Sequence, residues 1–426
     1  MKANMNQTWI PLLLSILMLV LAVTCGGDSQ VANTPTRLPA LTPTPSAHAA
    51  TPMPTPTATL VPVATAPLVS NPAPTSAPTV TPTKKPPPKD AATKKPPLKD
   101  AATKKPRLAD VATPIAAPVI VETVRFQVEV QQITTASELG QASIVGPSLI
   151  RLKDEGYRLY LQARAEGSDD NMDGVNIVSL ISMDGIEWDV EPGIRIPHGK
   201  ESDVDSEAGE PGVYLGLDDK YHMAYTGRFI GPDARGENKK MHRVVFAVSD
   251  DGLIWTKLNQ HYSDPANIND FASSADVTIV NGELVIYYTG QRNIIRATGD
   301  DLTWSRQEIA FTAGHDSTMV KIDDTYYTFW VMPKELIYGP NPDTTKDILF
   351  MALSLDGVNW SKDYYQVVVE NADGTEIDPQ NIQDPGAITL DDGSLRIFLN
   401  DNGGKSIYSI KPMEPLPILV SETTSG

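Results

Sequence analysis

Ser182 to Trp188 reads SMDGIEW, and this short stretch recurs three times later in the chain. The other copies are SDDGLIW (249–255), GDDLTW (299–304) and SLDGVNW (354–360), so their tryptophans lie 67, 49 and 56 residues apart. A strand-rich unit that repeats at this period is typical of a propeller. The repeat therefore predicts an all-β fold.

The sequence between the copies follows one pattern. A strand with a polar start is followed by a turn, then by a strand that alternates aromatic and small residues (YRLYLQA, YHMAYTG, LVIYYTG, YYTFWVM), and then by a strand that leads into the Asp-Gly turn. Alternation closed by Asp-Gly turns predicts β-hairpins. We call the polar start of the first strand of each unit its opening. Counting the openings, near residues 146, 210, 273, 316 and 384, predicts a five-bladed β-propeller, with six blades as the alternative. The segment 121–130 is predicted to pair with the last unit and close the ring, which would remove open sheet edges.

The N-terminal region predicts export. The apolar run 10–23 is too short for a membrane span and ends before Cys25, so residues 1–25 are predicted to be a signal peptide. Cys25 is the only cysteine, and its position resembles the lipobox of bacterial lipoproteins, in which the cysteine is acylated. We expect a lipid anchor at Cys25 and a cell-surface location; ordinary cleavage and secretion is the alternative.

The predicted domain boundaries follow from composition. Residues 29–118 contain 21 of the 36 prolines, which prevents a packed core, so 26–118 is predicted to be a disordered Pro/Thr/Lys-rich linker. The propeller is predicted over 119–415, and 416–426 is predicted to be a tail.

The charge of the predicted propeller limits its partners. Residues 119–426 contain 24 Lys and Arg against 49 Asp and Glu, a net charge of −25. So acidic a surface excludes nucleic acid binding through phosphates. We expect a monomer whose only membrane contact is the lipid anchor.

The Ser-x-Asp-Gly-x-x-Trp turns, the Asp-Pro and Glu-Pro openings and the Tyr-x-Met-x-Tyr-Thr-Gly strand resemble a known group of enzymes. They are similar to the five-bladed glycoside hydrolase propellers of the arabinanase/xylosidase type (family 43), the invertase type (family 32) and the mannoside-phosphorylase type, over about residues 120–415. The turns are also similar to the sialidase Asp-box, with one residue fewer between Asp and Gly. The resemblance implies a glycan or polysaccharide substrate. It also implies an Asp base at the first opening, where this chain has Gly146.

The repeated Asp-Gly-Trp turns are interpreted as structural, because copies related by the repeat cannot all line one pocket. The openings start near the propeller axis, where acidic side chains converge. Glycoside hydrolysis needs one protonated and one ionised carboxyl group. The predicted catalytic residues are Glu210, Asp316 and Asp384, with Glu210 favoured as the acid. Capping of strand starts is the alternative role.

Five further residues are predicted to bind substrate, because they lie near the openings or follow the second strands: Asp276, His315, Arg164, Arg228 and Arg292. Pairing of the arginines with the many acidic residues is the alternative.

One loop resembles a calcium site. Asp169, Asn171 and Asp173 match Asp-x-Asn-x-Asp-Gly, but Leu180 stands where an EF-hand has its glutamate. No cofactor is predicted to be required, and calcium is left open. Two functions are weighed: a surface-anchored glycosidase, and a noncatalytic propeller that binds glycan or protein ligands.

Overall fold

The computed structural model describes residues 119–168, 174–233, 235–267, 271–300, 303–333, 347–378, 382–401 and 403–419. These residues form twenty strands, and the described part contains no helix. Sixteen of the strands follow one another in four units, each a run of four antiparallel strands. These units are β2 (Gln141–Arg151), β3 (Tyr157–Ala165), β4 (Val175–Ser182) and β5 (Asp189–Ile196); β6 (Glu207–Leu215), β7 (Tyr221–Pro232), β8 (Asn238–Ser249) and β9 (Thr256–Tyr262); β10 (Ser273–Val280), β11 (Glu283–Gly290), β12 (Asn293–Gly299) and β13 (Trp304–Thr312); β14 (His315–Ile322), β15 (Thr325–Pro333), β16 (Asp347–Ser354) and β17 (Asp363–Glu370).

The fifth unit combines the two ends of the described chain. It contains β18 (Gln383–Thr389), β19 (Leu395–Asn400), β20 (Ser406–Pro412) and β1 (Val119–Thr135), and β1 pairs antiparallel with β20. The predicted pairing of 121–130 with the last unit is therefore confirmed from Phe126 onward, whereas the residues before Phe126 pair with β17 of the fourth unit. The first half of β1 also pairs in parallel with β17, which joins the fourth and fifth units in one eight-stranded sheet.

The first strands of the units form a closed ring. β2 contacts β6, β6 contacts β10, β10 contacts β14, β14 contacts β18, and β18 contacts β2. Five hydrophobic clusters fill the spaces between neighbouring units. The all-β propeller class is therefore confirmed. The count of five blades stays a prediction, because β1 makes two units continuous.

Burial explains the strand sequences. The second strand of each unit has a neighbour on either side in its sheet and units on both faces, so β3, β11 and β15 are almost continuously buried. Strands buried on both faces are nearly continuously apolar. The fourth strands β5, β9 and β13 lie at the rim and are largely exposed and polar.

The Asp-Gly-Trp turns link the third and fourth strands and join neighbouring units. Ser182 and Asp184 accept hydrogen bonds from the turn's own amides, and the other full copies do the same. The tryptophans pack edge-on or stacked against an aromatic ring of the preceding unit, with ring centroids 5.6 to 6.0 Å apart. These pairs are Trp188–Phe398, Trp255–Tyr160, Trp304–Phe246 and Trp360–Tyr287. The turns are thus packing contacts, as the sequence analysis predicts.

Candidate functional site

The five openings share an unusual backbone conformation. One residue in each first strand has a positive φ, at the point where pairing with the second strand shifts register. These residues are Gly146 (63°), Glu210 (43°), Ser274 (47°), Asp316 (52°) and Asp384 (47°). Four of them carry side chains, for which a left-handed conformation costs about 1–2 kcal/mol. Strained residues of this kind cluster at functional sites.

A neighbouring unit holds four of these residues in place. Ser274 donates its amide to Thr226 Oγ1 (2.8 Å), and Asp316 donates its amide to Thr289 Oγ1 (3.0 Å). Glu210 and Gly146 donate in the same way to Gln162 and Asn400. Each acceptor lies on the second strand of the preceding unit, so the second strand of one unit positions the opening of the next.

The openings meet in one central pocket, which we call the funnel. The funnel is open to solvent, and the space within it together with its mouth is about 680 Å³. All three predicted catalytic residues line it, together with Asp276, Gly146 and Ser274. Ser274, rather than the predicted Ser273, occupies the third opening. Two adjacent serines give no sequence signal for which of them takes the positive φ.

Asp316 and Asp384 form a hydrogen-bonded carboxyl pair. Burial raises the pKa of Asp384 well above its usual value, and the charges of Asp316 and Glu210 raise it further. Burial also acts to raise the pKa of Asp316, but the adjacent His315 outweighs it and the net shift is downward. The opposite directions of the two pKa shifts favour Asp384 as the protonated member of the pair and Asp316 as the ionised one.

His315 lies between two carboxylates. Its Nδ1 is 2.5 Å from Asp316 Oδ2, and its Nε2 is 3.4 Å from Asp347 Oδ2. Burial lowers the pKa of His315, but the two carboxylates outweigh this and raise it to about 11. His315 is therefore an imidazolium that neutralises Asp316. Asp347, from the start of β16, was not found in the sequence analysis, because the sequence around it carries no motif.

Glu210 has a different environment. One carboxylate oxygen pairs with Arg228, and the other accepts a hydrogen bond from Ser274 Oγ at 2.9 Å. Both partners act as donors, so both carboxylate oxygens of Glu210 act as hydrogen-bond acceptors. Arg228 thus adopts the pairing role that the sequence analysis gave as its alternative.

Asp276 lines the funnel, but its contact is structural. Asp276 Oδ2 accepts a hydrogen bond from the amide of Met319 in the next unit, at 2.7 Å. Ser148 and Thr318 occupy the same position in their units and accept the amides of Val213 and Ala387. Burial raises the pKa of Asp276 to about 7. Substrate binding by Asp276 stays a prediction.

The other predicted residues lie further out. Arg164 is 4.0 Å from Glu207, and its side chain is 24 % exposed. Arg292 is exposed in the turn between β11 and β12, where its carbonyl accepts the amide of Gly314. A Cβ at Gly146 would lie 3.3 Å from Glu210 Cα, so a longer side chain there would crowd Glu210.

Two predicted sites lie outside the described residues: Cys25, and the calcium loop with Asp169, Asn171 and Asp173. Within the part of the chain that the structure describes, no three His, Cys, Asp or Glu side chains are grouped so as to hold a metal ion. The described residues include no helix long and apolar enough to cross a membrane.

Comparison with known proteins finds similarity in structure only. No family model matches the chain, and no curated protein matches its sequence. A solved structure of the GH130 family of mannoside phosphorylases, described as containing glycoside hydrolases that target β-1,2-mannosidic linkages in Candida mannan, is similar with a TM-score of 0.51 and 12 % identity over 71 % of this chain and 98 % of that one. Zg3597, a family 117 glycoside hydrolase from Zobellia galactanivorans, is similar with a TM-score of 0.50 and 16 % identity over 68 % of this chain and 90 % of that one. At these identities the likeness establishes the propeller fold.

Proposed function

We propose that this protein is a glycoside hydrolase that cleaves O-glycosyl bonds in the funnel. One observation carries the proposal: Glu210, Asp316 and Asp384 meet in a single open pocket but in different surroundings, since the pKa of Asp384 is raised by burial and by Asp316, whereas Glu210 accepts hydrogen bonds from Arg228 and Ser274. Hydrolysis of a glycosidic bond requires that division between a proton donor and a base or nucleophile. The two glycoside hydrolases that share the fold support the same class of reaction.

We assign the acid to Asp384, which holds a proton beside Asp316 and delivers it to the leaving oxygen. Glu210 is the ionised partner that activates water or attacks carbon. Asp316 accepts the hydrogen bond that keeps Asp384 protonated and aligned, and His315 and Asp347 position Asp316. Glu210 is the acid favoured from the sequence, but its two donor partners, Arg228 and Ser274, fit the ionised role better.

The acid assignment is tested with glycosides that differ in leaving group. A general acid contributes about 10²–10⁴-fold to rate. Asp384→Asn should lose activity in this range on substrates with a poor leaving group and little on aryl glycosides whose phenol leaves unprotonated. Glu210→Gln should lose activity on both. Asp392→Asn, an exposed turn residue of the same unit, is the matched control.

The starting panel is aryl glycosides with arabinan, xylan, fructan and mannan. Binding of these glycans without turnover, unchanged by Asp384→Asn, would support the noncatalytic alternative instead. Equal losses by Asp384→Asn on good and poor leaving groups would remove Asp384 as the acid.

We also propose export and a lipid anchor at Cys25, on the sequence pattern alone. The mass of the mature N-terminus tests this. An acylated Cys25 as the first residue is expected, and an unmodified N-terminus elsewhere would contradict it.

A further inference from the structure

The hairpin formed by β7 and β8 is basic. Residues 228–243 contain five Lys and Arg and two Asp and Glu, within a region whose net charge is −25. Basic residues gathered in an acidic domain indicate a local site for an anion, because the rest of the surface repels one.

The hairpin extends past the funnel. β6 begins at Glu207, which pairs with Arg228, whereas the pairing of β7 with β8 continues for four more residues to Pro232 and Asn238. Glu210 lies three residues after the start of β6. The hairpin therefore extends beyond the end of β6 that carries Glu210.

Three cations converge on one carboxylate at the base of the hairpin. Glu207 is fully buried, and its carboxylate lies 2.9 Å from Lys240 Nζ, 3.6 Å from Arg228 and 4.0 Å from Arg164. Arg228 also pairs with Glu210. Among the described residues, these two carboxylates face three cations, an excess of one positive charge beside the funnel.

Arg164 has unused hydrogen-bonding capacity. Its Nη1 is buried and has no hydrogen-bond partner within the described ranges. A buried donor without a partner is costly, and a guanidinium forms paired hydrogen bonds with a carboxylate or sulfate. The Lys240 side chain is 40 % exposed, so a ligand can reach it.

We propose that Arg164 and Lys240 bind an anionic group, a carboxylate or a sulfate ester, on the sugar chain that enters the funnel. This inference rests on the proposed function and names its substrate class: acidic glycans. Arg228 contacts both Glu207 and Glu210, so the anion site adjoins the carboxylate that faces the scissile bond.

The test measures binding in the Asp384→Asn variant, so that turnover does not interfere. The probes are oligogalacturonate and oligoglucuronate, their carboxyl-reduced neutral forms, 6-sulfated galactose oligosaccharides, and inorganic sulfate. Calorimetry should show at least one acidic oligosaccharide binding about tenfold more tightly than its neutral form, a difference of ~1.4 kcal/mol. Preference for the uronate or for the sulfated chain identifies which anion is recognised.

Lys240→Gln and Arg164→Gln should each remove that preference, and Lys240→Arg should retain it. The matched control is Lys220→Gln, at the other end of the same unit, where Lys220 pairs with Asp250 at 2.9 Å. Thermal unfolding of each variant confirms that the fold is intact.

The proposal is overturned if charged and neutral oligosaccharides bind equally, if only inorganic sulfate binds, or if Lys220→Gln has the same effect as Lys240→Gln. Turnover of neutral glycosides with no preference for charge would leave the hydrolase proposal standing and refute this one. Preferential binding of an acidic chain with no hydrolysis of any probe by the wild type would support the anion site and refute the hydrolase proposal.

Discussion

Replacing His315 should change the pH dependence of the reaction in a predictable direction. Asp384 acts as an acid only while protonated, so activity falls as pH rises through its pKa. The imidazolium of His315 lowers the pKa of Asp384, against the larger upward effects of burial and of Asp316. His315→Gln removes this positive charge, so the basic limb of the kcat/KM profile should move to higher pH.

The contacts set the size of the shift. Two unit charges about 4 Å apart interact by ~4 kcal/mol at an effective dielectric constant of about 20. His315 touches Asp316, and Asp384 lies one carboxyl group further from His315. The interaction energy between His315 and Asp384 is therefore about half as large, ~2 kcal/mol. This corresponds to a shift of roughly 1.5 pKa units.

Asp347→Asn should shift the basic limb in the opposite direction, because it removes a negative charge from the same chain of contacts. The basic limb should move to lower pH by less than about one unit, since Asp347 reaches Asp384 only through His315 and Asp316. Two substitutions that merely loosen the site would not shift the limb in opposite directions.

The assay is kcat/KM against pH, with a glycoside whose leaving group needs protonation. His222→Gln is the control, because His222 forms a pair with Asp218 at 2.9 Å, at the far end of its unit. Its basic limb should stay in place. If His315→Gln and Asp347→Asn leave the limb unmoved, or move it in the same direction, the electrostatic role of His315 is refuted.

Two further predictions concern stability, both measured by denaturant unfolding. Ser354 is fully buried and its hydroxyl accepts the Gly357 amide at 2.9 Å, so Ser354→Ala should cost about 1–3 kcal/mol, whereas Ser305→Ala at an exposed site should be neutral. A Cβ at Gly212 would lie 1.9 Å from the carbonyl oxygen of Ala275 in the next unit, so Gly212→Ala should cost about 3 kcal/mol. Gly282→Ala, with φ +83° but open space around it, should cost only the ~1–2 kcal/mol of backbone strain; a larger loss there than at Gly212 would contradict the steric argument.

The repeated parts of the fold could be predicted from the sequence. Asp-Gly turns and aromatic second strands recur with a period, so they identified the units and located the openings that carry Glu210, Asp316 and Asp384. The pairing of 121–130 with the last unit followed from the need to cover an open edge. These inferences need only local patterns and the repeat.

Contacts between side chains that lie far apart in the sequence could not be predicted in the same way. The ion pair of His315 with Asp347 joins the first strand of a unit to its third strand, and no motif or spacing rule links the two residues. The role of Asp276 had a usable signal that was missed: aligned by unit, it takes the place of Ser148 and Thr318, whose hydroxyls bond to the next unit. The third opening was misplaced by one residue because Ser273 and Ser274 are identical in type.

The double pairing of β1 has a consequence for the order of folding. β1 is the first described strand to be synthesised, yet its partner in the fifth unit is 286 residues away at the Phe126–Pro412 pair. Pairings so distant in sequence form slowly, because the chain between them must first be ordered. Until then the outer strands β17 and β20 both present unpaired edges, and the arrival of one strand covers both. We therefore expect ring closure to be the last cooperative step, because a nascent chain that lacks β20 can hold β1 only through its parallel pairing with β17.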